Sequence, residues 1–406
     1  MLTQNTTPMD QTVVTEVQAK TNPIKATLIS FFGLGFGTAA WAPLIPYAQD
    51  RLQVNHASFG YLLLCGGLGS MLAMPATGMI IQRVGCKAVI ATFLALLLMT
   101  LPVLTMGHTA LVMAIALFIF GTAAGGLGVA INLQAAIVEK NTSRNMMSSF
   151  HGMCSLGGLV GVMVVTCLLA LGLSPLLSAL VVSAFMLICL AIASRHSLNK
   201  AETGDQSVAE QEKPRSFVMP KPLVLLFGLM CFIAFLSEGS ALDWSGIYLV
   251  ENFNLDKAYA GLAYTCFAIS MTVGRFVGSS IQKKIGEKNT IVYGAILAAM
   301  GLALVVFTPV WLGALVGYLL VGFGCSNIVP IIFSQVGRQN VMPKATALSY
   351  VSTMAYSGSL LGPALIGFVS MVTGLTVVFA IIAVMIICIP VLNIMANKSH
   401  AKTQQA

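Results

Sequence analysis

Long apolar runs recur along the chain, separated by short polar breaks. They fall at 25–48, 59–80, 88–106, 109–137, 146–171, 175–194, 222–250, 257–281, 289–307, 311–336, 345–370 and 374–397. A membrane-crossing helix needs roughly 20 mostly apolar residues, and each run supplies about that many. The pattern therefore predicts an all-α membrane protein of twelve transmembrane helices. The breaks are short except at 195–221, which holds Arg195, Lys200, Glu202, Asp205, Glu210, Glu212, Lys213 and Arg215 and reads as a polar linker. The predicted layout is a tail at 1–24, a six-helix bundle at 25–194, the linker at 195–221, a second bundle at 222–397 and a tail at 398–406.

Composition sharpens this picture. Hydrophobic residues make up 57% of the 406 and charged residues only 8%, against roughly 25% charged in a soluble domain. Most of the surface must therefore face lipid. The net charge of +8 is explained by its placement. With both termini inside, the inner segments carry Lys25, Arg83, Lys87, Lys140, Arg195, Lys283, Lys288, Arg338 and others, while the outer loops carry only Arg51 and Lys257. This asymmetry is the positive-inside pattern. It predicts a bacterial inner-membrane protein with cytoplasmic termini and removes the need for a nucleic-acid partner. The nine cysteines lie mostly in apolar runs without C-x-x-C spacing, so neither a disulfide framework nor a zinc site is indicated. Residues 1–24 are polar and precede a run too long for a signal peptide's apolar region.

A shift of 201 residues aligns the two halves at separate points. Gly85 and Lys87 fall on Gly286 and Lys288, Gly121 on Gly322, and Gln134 on Gln335. Gly157, Leu159 and Gly161 fall on Gly358, Leu360 and Gly362, and Tyr47 on Tyr248. Parallel repeats of six spans are one architecture of secondary transporters, with the solute site near the midplane between the halves.

The segment Gly78-Met-Ile-Ile-Gln82-Arg83-Val-Gly85-Cys-Lys87, between the second and third runs, and its repeat Ser279-Ser-Ile-Gln-Lys283-Lys284-Ile-Gly286-Glu-Lys288 resemble the inner-loop signature of the major facilitator superfamily. The usual acidic position is Gln82 in one copy and Lys283 in the other, which weakens the charge relay that the signature implies. A closer resemblance covers nearly the whole chain. Ser148-Ser-Phe-His151-Gly-Met-Cys-Ser155-Leu-Gly157-Gly158, Glu238-Gly-Ser-Ala-Leu-Asp243-Trp244-Ser245, Gly274-Arg275 and Tyr356-Ser-Gly358-Ser-Leu-Leu-Gly362-Pro363 are similar to signatures of the YbjJ/MosC-like branch. The resemblance implies the major facilitator fold, and the branch's rhizopine-related member hints at inositol-like or sugar-like solutes. Two departures stand out. Leu44, after Trp41-Ala-Pro43, replaces the branch's Arg. Gly128, before Val-Ala-Ile-Asn132, replaces its Asp. Losing both members of a buried pair avoids stranding one charge, so the two positions are expected to pair in relatives.

Ionisable residues inside a span are costly and functional by default. Glu238, Asp243, His151 and Arg275 qualify. Glu238, near the middle of the seventh run, is the leading candidate for binding a proton or solute. Asp243 lies about 140° around the same helix and either joins that cavity or caps the outer end. Trp41 and Trp244 are stacking platforms or interfacial aromatics. His151 lies on one helical face with Ser148 and Ser155, and the repeat places Ser349, Ser352 and Tyr356 on the matching face. The stripes line a cavity or bond helix to helix. Asn132 and Asn327 are amides suited to hydroxyl-rich solutes. Arg83, Gly85, Lys87, Arg275, Gln134 and Gln335 are assigned to gates or structure at the inner end.

No P-loop, nucleophile motif or metal cluster is visible, so an enzyme, a cofactor and a metal site are not expected. The leading expectation is a monomeric, proton-coupled secondary transporter, working in the lipid bilayer by alternating access on a small polar, sugar-like or polyol solute. A drug or metabolite efflux antiporter is one alternative, although the fifth run lacks the Gly-Pro pair usual in such antiporters. A non-transporting membrane sensor or lipid-handling protein is the other, disfavoured by the lack of a sizeable soluble domain.

Overall fold

The computed structural model describes residues 22–142, 146–203 and 219–405. Among them, ten continuous helical segments are long and apolar enough to cross a membrane: Pro23–Leu52, His56–Met106, Ala110–Thr142, Ser149–Ala170, Pro175–His196, Pro222–Phe253, Lys257–Phe307, Trp311–Arg338, Thr346–Thr373 and Leu375–Asn397. His56–Met106 and Lys257–Phe307 are 51 residues each. At 1.5 Å per residue each would be roughly 75 Å if straight, over twice the hydrocarbon thickness. Each is divided by a glycine in non-helical geometry, Gly85 (φ 83, ψ 168) and Gly286 (φ 79, ψ 160). That region of backbone space is essentially closed to other residues. Each long segment is therefore two spans joined at a glycine, and the described residues make twelve spans in two sets of six.

Two spans are interrupted. Span one consists of the helix Pro23–Ala39, a 3-10 turn at Ala42–Leu44 and the helix Ile45–Leu52, where Pro43 and Pro46 deny backbone donors. Span ten consists of Trp311–Cys325 and Ile328–Arg338. The break leaves Asn327 at a helix junction.

Lipid tails give helices no hydrophobic reason to associate, so close backbone approach must do it. The repeat supplies matched contacts. A side chain at Gly157 of span five would collide with the Phe32 carbonyl of span one, and one at Gly358 of span eleven with the Phe232 carbonyl of span seven. Residues such as Leu111 and Val372 lie on the exposed apolar surface, which suits a lipid-facing exterior.

The two halves meet most tightly at the end away from the chain termini. Gly60 of span two lies against the Pro363 and Ala364 backbone of span eleven, and Gly261 of span eight packs on Pro43 and Thr166. One hydrogen bond and one ion pair cross between the halves there. His56 Nε2 lies 2.9 Å from Glu251 Oε1, and Lys257 Nζ lies 2.6 Å from Asp50 Oδ2. These pairs are related by the repeat. Asp50 and Glu251 are 201 residues apart, as are His56 and Lys257, so each half contributes one carboxylate and one nitrogen-bearing partner to a pseudo-symmetric latch.

At the terminal end the halves differ. After span six, residues 197–203 fold back on the Gly85 turn. Lys87 N–H donates to the Leu198 carbonyl at 2.9 Å, and Cys86 N–H to Thr203 Oγ1 at 3.2 Å. In the second half, Gly286 has no neighbour among the described residues within 4 Å of the position a side chain would occupy.

Candidate solute and proton site

A cavity of about 600 Å³ opens where spans five, seven, eight and ten meet. Its polar wall includes His151, Ser155, Glu238, Thr272, Arg275 and Asn327, and its apolar wall includes Phe235, Phe276 and Phe333. A second space of about 200 Å³, reaching Thr38 and Tyr264, shares Ser155, Thr272 and Arg275 with it.

Glu238 and Arg275 face each other across the cavity. Arg275 Nη2 is 3.8 Å from Glu238 Oε2, and Nη1 donates to Ser155 Oγ at 3.4 Å. Both distances exceed those of a strong charge-assisted bond, roughly 2.7–2.9 Å. The pair is therefore loosely held. Its side chains retain 42% and 23% exposure, Arg275 the larger. By contrast, Arg338 reaches Glu287 at 2.6 Å at the terminal end. His151 lines the same cavity, its ring held edge-on against Phe31 with centroids 5.2 Å apart. Asn327 is fixed by its own donors: Nδ2 bonds to the Gly274 carbonyl and to Ser326 Oγ, each at 2.8 Å. This ties the break in span ten to the helix that carries Arg275.

Between spans two and eleven lies a third cavity of about 400 Å³, lined by Ser70, Met74, Ser352, Tyr356, Ser357 and Ser359 among others. Phe235, from the first cavity, packs edge-on against Tyr356, with centroids 5.7 Å apart. The repeat relates these two cavities. Ser352 and Tyr356 correspond to His151 and Ser155, and Met74 corresponds to Arg275. The first cavity is thus charged, and its pseudo-symmetric counterpart is hydroxyl-rich and neutral.

Several residues singled out from the sequence converge on this region: Glu238, His151, Ser155, Asn327 and Tyr356. Others lie elsewhere. Asn132 is exposed and donates to the Gly128 carbonyl of its own helix at 2.7 Å. Trp41 is buried in the core. Trp244 is fully buried, edge-on to His56 at 5.5 Å and Phe59 at 6.4 Å, and so packs across the two halves near the latch. Asp243 does not line the 600 Å³ cavity and has no hydrogen-bond or ion-pair partner among the described residues. The side chains of Ser148 and Ser349 lie outside the described residues.

The residues assigned to gates also separate. Gln134 is fully buried. Its Nε2 donates to Thr27 Oγ1 at 3.0 Å, and its Oε1 accepts from Leu198 N–H at 3.1 Å, so it joins span one to the segment after span six. Gln335 donates to Glu287 at 3.3 Å beside Arg338. Gly85 and Lys87 form the docked turn, and Arg83 is exposed beside it. Arg275 differs from its assignment, because its guanidinium stands in the central cavity opposite Glu238. The sequence showed Arg275 inside a span but gave no sign of which way it faced. The latch residues Asp50, His56, Glu251 and Lys257 were missed as well, although the 201-residue shift superposes them.

The sequence profile of the Major Facilitator Superfamily matches residues 27–339 and again 227–405. The chain belongs to the Major Facilitator Superfamily. Members of this superfamily are transporters rather than enzymes, and the chain is a multi-pass membrane transporter of some small solute. It is 42% identical over 364 residues to an uncharacterized MFS-type transporter of Yersinia pestis, covering 90% of this chain and 93% of that one. It is 29% identical over 365 residues to the membrane protein MosC of Rhizobium meliloti, covering 87% and 86%. Its fold superposes on a mutant of the nucleoside transporter NupG with a TM-score of 0.74 at 16% identity, over 92% of this chain and 99% of that one. The resemblance that the sequence motifs implied is thus established at the level of the superfamily and of similarity to MosC.

Proposed function

We propose that this chain is a secondary active transporter that moves a small polar solute with a sugar- or polyol-like framework across the bacterial inner membrane by alternating access, coupled to protons through Glu238. The observation that carries this reading is the loosely held Glu238–Arg275 pair in a central cavity. A carboxylate at membrane depth is retained for function rather than stability, and here it faces space large enough for a solute. The hydroxyls of Ser155, Thr272 and Ser279 suit a hydroxyl-rich framework, and the phenylalanines offer faces for its C–H surface.

In this reading the latch and the tight crossings of spans two with eleven and five with eight close the outer end, and the cavity is reached from the cytoplasmic side. The orientation, with both termini cytoplasmic, rests on the placement of lysines and arginines. The two six-helix units, 25–194 and 222–397, rock about the central site, and the linker at 195–221 joins them. The chain works as a monomer.

The test is proton movement in proteoliposomes. Internal acidification or alkalinisation is followed on addition of neutral, acidic and basic sugars and polyols. At least one of them should drive proton movement through the wild type, and the same compound should drive little through Glu238→Gln. Absence of proton movement with every compound would defeat the reading.

A further inference from the structure

We propose that the solute carries an anionic group, a carboxylate, which replaces Glu238 as the counter-ion of Arg275 while Glu238 takes up a proton. This rests on the site proposed above and narrows its substrate class.

Arg275 has five N–H donors in a rigid fork and does not lose its charge. Its partners, Ser155 Oγ at 3.4 Å and Glu238 Oε2 at 3.8 Å, leave most of that fork unused. The guanidinium is partly exposed and lines both the 600 Å³ and the 200 Å³ spaces. Where this chain uses an ion pair to hold structure, at Lys257–Asp50 and Arg338–Glu287, the separation is 2.6 Å. An arginine fork held open beside a cavity is the shape that accepts a carboxylate with two parallel bonds.

Charge balance points the same way. A permanent cation in a low-dielectric site needs a counter-charge at every stage. If Glu238 were protonated with nothing else in the cavity, Arg275 would be stranded. Among the described residues no other acidic side chain makes an ion pair with Arg275; the remaining ionisable neighbours are a histidine, a tyrosine and cysteines. His151 and Cys154 come from span five, Tyr264 from span eight, Cys325 from span ten and Cys231 from span seven itself. Asp243 has no ion-pair contact with Arg275. An arriving carboxylate resolves the problem. The empty site holds Glu238 as carboxylate against Arg275, and the loaded site holds protonated Glu238 with the solute carboxylate on Arg275. The site has zero net charge in both states. One proton and one negative charge cross together, so a membrane potential does no work on the loaded step. A neutral solute carried with one proton would move a net positive charge.

The repeat separates this function from the rest of the cavity. At the position equivalent to Arg275, the other half carries Met74, beside Ser70, Ser352 and Tyr356. The pseudo-symmetric cavity therefore has no equivalent of the charged contact, which singles out the Arg275 cavity for an anion.

Gluconate, glucuronate and galacturonate, with glucose, myo-inositol and glucosamine as uncharged and cationic counterparts, are tested for thermal stabilisation of the purified full-length protein. The wild type, Arg275→Gln, Glu238→Gln and the double variant are compared. At least one acid should stabilise the wild type and take up a proton from weak buffer on binding. Its affinity should fall at least tenfold in Arg275→Gln and in the double variant. In Glu238→Gln, which removes the competitor, it should bind as tightly or more tightly and without proton uptake. The double variant carries neither charge, so it separates lost binding from a stranded charge. In proteoliposomes, uptake of that acid should follow a pH gradient and ignore a potassium diffusion potential. The inference is overturned if no acid stabilises the protein, if only neutral or amine probes do, if Glu238→Gln weakens the acid, or if the potential drives uptake. A neutral sugar that moves protons through Glu238 would overturn this inference and leave the proposed function intact. Absence of any solute-driven proton movement would overturn the proposed function itself.

Discussion

In the proposed alternating-access cycle the pseudo-symmetric latch sets how readily the outer end opens, and Asp50→Lys is the sharpest way to probe it. The wild-type pair places Asp50 Oδ2 2.6 Å from Lys257 Nζ, with side-chain exposures of 57% and 34%. Solvent screens such a pair, so its loss is worth about 0.2–1 kcal/mol, and the like-charge contact that replaces it adds repulsion of similar size. Together these amount to about 0.4–2 kcal/mol and shift the balance between closed and open outer ends by about 2- to 30-fold, since 1.4 kcal/mol corresponds to a factor of ten. The second pair, His56–Glu251 at 2.9 Å, remains and limits the effect. The assay is labelling of a cysteine introduced at Val54, which lines the vestibule beside Asp50 and Lys257. It uses a variant whose nine native cysteines are replaced and a membrane-impermeant maleimide on intact cells. Asp50→Lys should speed labelling by a factor within that range of about 2- to 30-fold. The swap Asp50→Lys with Lys257→Asp should bring it back toward the parent rate. Equal labelling in parent and single variant, or a swap no slower than the single variant, would refute the reasoning.

Two further outcomes follow from the backbone and from the membrane interior. Gly85 and Gly286 share a conformation that costs other residues about 1–3 kcal/mol, but only at Gly85 would a side chain also meet backbone, that of Lys200 at 2.7 Å. Gly85→Ala should therefore lower the melting temperature more than Gly286→Ala, and equal losses would count against the docking of residues 197–203 as a structural contact. At Gly128 the nearest neighbour of an added side chain is the Leu34 methyl at 4.0 Å. Gly128→Asp adds a charge without a partner, at about 2.5–3.5 kcal/mol on insertion scales, and should reduce the amount of protein recovered from membranes. Unchanged yield and transport would contradict the idea that this chain lost a buried pair as a unit.

The spans were legible because hydrophobic length is imposed by the bilayer, and the turns at Gly85 and Gly286 were legible because only glycine fits them. The 201-residue repeat survives in helix packing, as at Gly157 and Gly358, since both halves solve the same crossing with the same small residue. Side-chain direction was harder to read. Glu238 and His151 face the cavity as their rarity inside spans suggested, but rarity does not say which way a residue points. Asn132 satisfies itself on its own helix, and Trp41 and Trp244 fill cores. Arg275 lies in the cavity beside a span-ten break that Asn327 ties to the Gly274 carbonyl, a tertiary contact without a local pattern. The latch was hidden for another reason. Asp50, His56, Glu251 and Lys257 are ordinary loop-end charges until the repeat pairs each with its counterpart.

In the proposed function Glu238 couples proton movement to solute movement rather than merely shaping the cavity. Glu238→Gln, reconstituted in proteoliposomes, separates the two roles when solute exchange at equal pH is compared with accumulation driven by a pH gradient. Exchange should persist, because the glutamine keeps the cavity's size and leaves Arg275 to hold the solute. Accumulation against a gradient should be lost. If Glu238→Gln still accumulated solute as the wild type does, the coupling assigned to Glu238 would be wrong.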